Sequence, residues 1–362
     1  MQLILRLFTA LVFVFFAASS NGQDNRVFKI FQFPPDMIPV IDGKSDDWRI
    51  VDSSYNVGMD QLWDDRDDSI RHKVADPKNL DVNVKVGWVK GMNRLYFLYE
   101  AYDDYWDFSS VNLHNDIFEV VVDGDQSGGP FISAFHPNKK MDQKDTYFSY
   151  QGVHAQNYHI FTPAKGKAWA MVWGNQHWIR NLPYANAAYS YNFNPGDSGH
   201  LTLEFWITPF DYTGSDDKSR AVESVLTEDK NIGLSWAILD YDNIDDKKYN
   251  GFWNLSKTRE MYGNASFLLP FRLMPLEKQY VKAIDAQWSF EVTDMKRRMV
   301  SFIDESIGNI DSWEWDFGDG RKSREKNPVH FYSAPGQYIV TLRVKGPAGS
   351  SRMSRVWDVT LK

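Results

Sequence analysis

The chain has 362 residues, 43% hydrophobic and 24% charged, which marks a core-forming globular protein and excludes a disordered one. It has no cysteine, so disulfides, thiolate metal sites, iron–sulfur clusters, covalently attached heme and thiol nucleophiles are excluded together. Lys and Arg number 40 against 48 Asp and Glu, and a net charge of −8 offers no broad basic surface to a nucleic acid.

Residues 1–22 read as a signal peptide. Arg6 precedes an apolar run from Leu7 to Ala18, and the small residues Ser19, Ser20 and Gly22 predict cleavage before Gln23. The expectation is an exported protein, extracytoplasmic or at the cell surface, whose mature chain has no transmembrane segment. Period-two alternation then recurs along the chain. Val82, Val84, Val86 and Trp88 fall on one face, and Leu95, Phe97, Tyr99 and Ala101 repeat the pattern after a turn at Gly91–Asn93. Further strands are expected at 117–123, 158–162, 169–173, 201–207 and 232–239, separated by turn-rich breaks. A seam falls near 270–285, and strands at 300–303, 313–317 and 338–344 follow it. The pattern predicts an all-β protein of two tandem β-sandwiches, at 23–280 and 281–362.

The second unit carries a signature. Trp313-Glu314-Trp315-Asp316-Phe317-Gly318-Asp319-Gly320 is followed by Asn327-Pro328-Val329-His330-Phe331-Tyr332 and by Gly336-Gln337-Tyr338-Ile339-Val340-Thr341-Leu342. The three segments, in this order, resemble the polycystic-kidney-disease (PKD) domain family. That resemblance implies an immunoglobulin-like sandwich acting as a spacer or partner contact. Asp316 and Asp319 read as turn carboxylates bonded to nearby backbone N–H groups.

The first unit opens with Val40-Ile41-Asp42-Gly43-Lys44-Ser45-Asp46-Asp47-Trp48. It continues through the strand Asp116-Ile117-Phe118-Glu119-Val120-Val121-Val122-Asp123 to Ile232–Asp240 and Asn250-Gly251-Phe252-Trp253. These segments resemble family 9 carbohydrate-binding modules. The resemblance implies a sandwich that traps a sugar ring between two tryptophans and holds structural calcium. It places Glu119, Asn250 and Trp253 at sugar-contacting positions. One clamp tryptophan is replaced by Leu113, an arginine by His159 and a glutamine by Ala237. A rebuilt platform would come from a loop tryptophan, Trp106, Trp63 or Trp178; a scaffold without a sugar site is the other reading.

Asp123-Gly124-Asp125-Gln126-Ser127-Gly128 mimics the start of a calcium loop, but the twelfth position is Ala134 and an EF-hand is excluded. Asp123 and Asp125 are the candidate calcium ligands. Asp240, Asp242, Asp245 and Asp246 read as a solvated acidic loop. No Gly-x-Ser-x-Gly elbow, His-Glu-x-x-His or phosphate loop occurs, and neither heme nor a nucleotide is expected. The expected function is non-catalytic recognition of a poly- or oligosaccharide, with a glycoside hydrolase or cell-surface protein as partner through the second unit. An adhesion scaffold and a glycoside-cleaving enzyme are the alternatives.

Overall fold

A computed structural model describes residues 26–67, 75–110, 112–214, 218–281 and 283–359; the expected signal peptide lies outside them. Among the described residues no helix is long and apolar enough to cross a membrane.

The principal strands of the first unit are β1 (Phe28–Gln32), β2 (Leu80–Trp88), β3 (Leu95–Asp103), β4 (Ile117–Asp123), β5 (Gln156–Phe161), β6 (Ala170–Val172), β7 (Ala185–Ser190), β8 (Gly199–Ile207), β9 (Asn231–Asp240), β10 (Gly251–Asn254) and β11 (Leu269–Leu273). One sheet runs β6-β5-β4-β9-β11-β1, with β10 also on β9; the other runs β1-β2-β3-β8-β7. The first strand joins them. Phe28–Ile30 pairs parallel with Phe271–Leu273, and Phe31–Gln32 pairs with Gly87–Trp88.

The alternation expected from the sequence packs the two sheets face to face. Val82, Val84 and Val86 from β2 meet Phe118, Val120 and Val122 from β4, all buried. Tyr99 stacks on Phe118 at 4.4 Å across the two layers, and Phe97 stacks on its strand partner Phe205 at 4.6 Å within one of them. Both outer faces are covered too. Phe31, Phe33, Tyr96 and Trp206 lie under Trp48 and Val51 on one side. On the other, Val121, Ala237, Leu239 and Phe252 lie under Phe131, Ile132, Met261 and Leu268. The segment that supplies this second cover includes α1 (Gln143–Tyr150), whose first turn is capped by Asp142 accepting from the N–H of Lys144 and Asp145.

The second unit is a smaller sandwich. Strands β12 (Trp288–Asp294), β13 (Met299–Asp304) and β14 (Val329–Phe331) form one sheet. The other contains the strands Ser312–Asp316, Gly336–Gly346 and Gly349–Val359. Trp288, Phe302, Trp315, Phe317, Val340, Leu342 and Val344 fill the space between them. Of the three aromatic residues that alternate along this segment, Trp315 and Phe317 enter the core, while Trp313 remains half-buried at its margin.

Candidate functional site

Glu119 lies mid-strand on β4, opposite Ala237 of β9 and His159 of β5. All three point to the outer, covered face of their sheet. The Glu119 side chain is 2% exposed; its Oε1 accepts from Asn157 Nδ2 at 2.7 Å, and the same amide donates to the Tyr262 carbonyl at 2.8 Å. His159 Nε2 stands 2.9 Å from that oxygen, out of line for a hydrogen bond, and neither ring nitrogen makes an aligned one. Asn157 Oδ1 and Trp173 Nε1 are also buried without partners. The Trp173 ring lies 5.2 Å from the His159 ring and 6.4 Å from Tyr262. Several unsatisfied polar atoms thus converge beside two aromatic rings, an arrangement that native cores avoid and ligand sites exploit.

Next to this cluster a cleft of about 550 Å³ is lined by Tyr241, Tyr249, Arg66, Asp67, Lys247, Lys248 and Arg259. Burial and the nearby Glu119 charge push the hydroxyls of Tyr249 and Tyr262 up, and Arg259 pulls both down, so the cluster and the cleft share one electrostatic field.

The sugar contacts carried over from the family resemblance do not assemble. Trp253 pairs with Ile238, which pairs with Phe118, so its indole points to the inter-sheet core, on the opposite face from Glu119. It folds back over Gly251, where a Cβ would stand 2.4 Å from Trp253 Nε1. Two successive residues of a strand point to opposite faces, and at this position Phe252 takes the Glu119 side. Asn250 Oδ1 accepts from the Asp242 N–H at 3.3 Å and holds its own loop. Trp106 is 1% exposed, stacked on Phe193 at 5.0 Å and bonded through Nε1 to the Gly199 carbonyl, so it is core and not platform. Trp178 packs edge-on against Tyr184 and Phe210, and Trp63 lies under Lys257 Nζ at 4.7 Å. Glu119 and His159 are brought together. Asn157, Trp173, Tyr249, Tyr262 and Arg259 were missed; parity alone could have found Asn157, two residues before His159 on the same face.

The acidic residues also sort differently. Asp123 accepts from the N–H of Ser127 and Gly128, and Asp125 from Ser127, so this loop is closed by its own backbone donors. Burial pushes Asp123 up to about 6. Among the described residues, carboxylates converge elsewhere: one oxygen from each of Asp103, Asp116 and Asp240 lies within 4.8 Å of the others. All three are buried, which overturns the solvated-loop reading of Asp240. Burial and then the neighbouring carboxylates push Asp103 up to about 9, Asp116 well above the carboxylate range and Asp240 up to about 7. Asp116 accepts from the N–H of Asp107 and Tyr241, whereas Asp240 Oδ1 has no partner. Asp104 and Asp242 extend the group outward from Asp103. Hard oxygen donors at the ends of three strands, one of them orphaned, fit a calcium ion. Such an ion would neutralise the repulsion and tie β3, β4 and β9 together.

Residues 283–361 match the PKD domain family. A collagenase of Bacillus cereus is 51% identical over 55 residues, 15% of this chain and 6% of that protein. The pre-pro-metalloprotease PrtV of Vibrio cholerae is 36% identical over 66 residues, 18% of this chain and 7% of that protein. The chain thus spans a small fraction of the curated relatives it matches, and the collagenase matches fall in the PKD region only. Among solved structures, a family 9 carbohydrate-binding module from Caldicellulosiruptor kristjanssonii in complex with glucose is similar over 70% of this chain and 98% of that one, at 14% identity and a TM-score of 0.42. The PKD1 domain of PrtV is similar over 22% of this chain and 99% of that one, at 31% identity and a TM-score of 0.20.

Proposed function

We propose that this chain, whose residues 283–361 form a PKD domain, is an exported, non-catalytic carbohydrate-binding protein. The observation that carries the reading is the set of polar atoms around Glu119 that lack a hydrogen-bond partner, Asn157 Oδ1, His159 Nδ1 and Trp173 Nε1, flanked by the Trp173 and Tyr262 rings. Sugars present alternating apolar faces and hydroxyls. A convergent donor–acceptor set beside aromatic rings complements both. Glu119 and Asn157 would orient hydroxyls, Trp173 and Tyr249 would cover a ring face, and calcium at Asp103, Asp116 and Asp240 would fix the strand ends. The PKD domain would hold the first unit off a surface or dock a partner, such as a glycoside hydrolase or a cell-surface protein.

Calorimetric titration of the folded chain with a panel of oligosaccharides tests this. Binding that Trp173→Ala weakens by about 1–2 kcal/mol is the expected result. A scaffold without a sugar site is the competing reading, favoured by the cover that Phe131, Ile132, Met261 and Leu268 place over the Glu119 face. Silence across the panel, with folding verified by circular dichroism, would establish it.

A further inference from the structure

The cleft beside Glu119 has a chemistry of its own. Among the described residues, four cationic side chains, Arg66, Lys247, Lys248 and Arg259, line it against one carboxylate, Asp67, in a chain whose acidic residues outnumber its basic ones. Arg66 is committed: it pairs with the buried Asp64 at 3.0 Å. Lys247 and Lys248 are exposed and have no carboxylate partner among the described residues.

Arg259 differs from a solvated surface arginine. Its Nη2 donates to the carbonyls of Asp65 at 2.9 Å and Arg66 at 3.0 Å, and its guanidinium lies 6.0 Å from the Tyr249 ring and 5.8 Å from the Phe252 ring. Two carbonyls and two aromatic rings therefore hold the cation in place, and among the described residues no carboxylate pairs with it. Its Nε is buried and donates to nothing. With both Nη2 hydrogens on carbonyls, Nη1 is left to donate to an anion entering the cleft, and a carboxylate oxygen accepts such a charge-assisted bond. Tyr249 supplies an aromatic ring in the same cleft.

We propose that this cleft receives a saccharide bearing a carboxylate, a uronic acid residue, with Arg259 taking the carboxylate, Lys247 and Lys248 drawing the anion in and Tyr249 packing against the sugar ring. The proposal rests on the sugar-binding reading above and names the ligand class of that site.

The test is calorimetric titration of the full chain with tetragalacturonate, cellotetraose and a sulfated galactan oligomer of the same length. Tetragalacturonate should bind at least about tenfold more tightly than cellotetraose, and raising salt from about 0.05 to about 0.5 M should weaken it several-fold. Arg259→Met should abolish the preference. Because Arg259 also anchors the 65–66 backbone, the exposed pair Lys247→Ala/Lys248→Ala provides a second variant; it should weaken tetragalacturonate about three- to tenfold and leave cellotetraose unchanged. Equal or tighter binding of cellotetraose, indifferent to both variants, would overturn the uronate assignment and leave the sugar-binding reading intact. A preference for the sulfated oligomer would overturn the carboxylate assignment as well. No binding of any of the three by folded protein would sink the sugar-binding reading itself.

Discussion

Glu204 accepts the indole N–H of Trp48 at 2.8 Å across 156 residues of chain, and both side chains are fully buried. The second oxygen of the same carboxylate accepts from the backbone N–H groups of Asp42, Gly43 and Lys44 at 3.1, 2.8 and 3.1 Å. The Ile41–Trp48 segment is therefore a loop wrapped around one anion that projects from β8. Gly43 is required in it: its φ is +82°, and a Cβ there would stand 2.6 Å from the Tyr189 backbone. Glu204→Ala would leave two buried donors, the Trp48 indole N–H and the Gly43 N–H, without an acceptor and would take one from the Asp42 and Lys44 amides, and we expect it to cost about 2–5 kcal/mol of unfolding free energy. Urea denaturation checks this. A loss below about 1 kcal/mol would mean that water replaces the carboxylate easily.

The Asp103, Asp116 and Asp240 cluster predicts a change of sign. With calcium present, Asp240→Asn should lower the melting temperature, because an ion loses a charged ligand. In chelator the same substitution should raise stability by about 1–3 kcal/mol, since a neutral isostere removes like-charge repulsion among buried carboxylates. Saturating calcium, at about a hundred times its dissociation constant, should stabilise the wild-type chain by about 2.7 kcal/mol. Melting curves in calcium and in chelator, for both proteins, decide the matter. Destabilisation of equal size in both conditions would show that no ion binds there.

In the PKD domain, Asp319 Oδ2 lies 2.9 Å from His330 Nε2, and the imidazole stacks on Phe317 with centroids 3.9 Å apart. Burial raises the Asp319 carboxyl, but hydrogen bonds from His330 and the Arg321 N–H outweigh it and hold the group below its ordinary value of 3.8. A depressed folded pKa means that the unfolded chain binds the proton more tightly. The stabilisation is therefore complete above the ordinary carboxylate range and is lost as pH falls through the lower folded value. Asp319→Asn should remove about 1–2 kcal/mol at neutral pH and flatten the acid limb below about pH 4. Denaturation midpoints measured between neutral pH and that limb give the slope for each protein.

The strands were legible because the chemistry of alternation is local. Val82 to Trp88 and Leu95 to Ala101 each place every second side chain in one core, and pairing in register follows from that demand. The family-like motifs were legible as loops and strand ends. The site was not, because it depends on which face a side chain takes after residues distant in sequence meet. Trp253 sits next to Phe252 in sequence and on the other side of the sheet in space. Trp106 was read as a loop ring free to face solvent, but the β8 carbonyl of Gly199 and the Phe193 ring enclose it. The acidic triad was illegible for a similar reason: Asp103, Asp116 and Asp240 end or precede three different strands, and no spacing along the chain announces their meeting.

Two tryptophans of the first unit should respond differently to the same change. Trp253 packs against the inter-sheet core and its N–H has no partner, so Trp253→Phe keeps most of the buried surface and loses no hydrogen bond. We expect a stability loss of about 1–3 kcal/mol from the residual cavity and no change in oligosaccharide affinity. Trp173 sits at the Glu119 cluster, half-buried, with its N–H enclosed beside His159. Trp173→Phe removes a donor that no protein group uses, so folding should change by less than about 1 kcal/mol while affinity falls by about tenfold, if that N–H donates to a sugar hydroxyl. Paired denaturation and titration of both variants separate the two roles. A Trp253 variant that folds normally and fails to bind would return the platform to the position where the sequence first placed it.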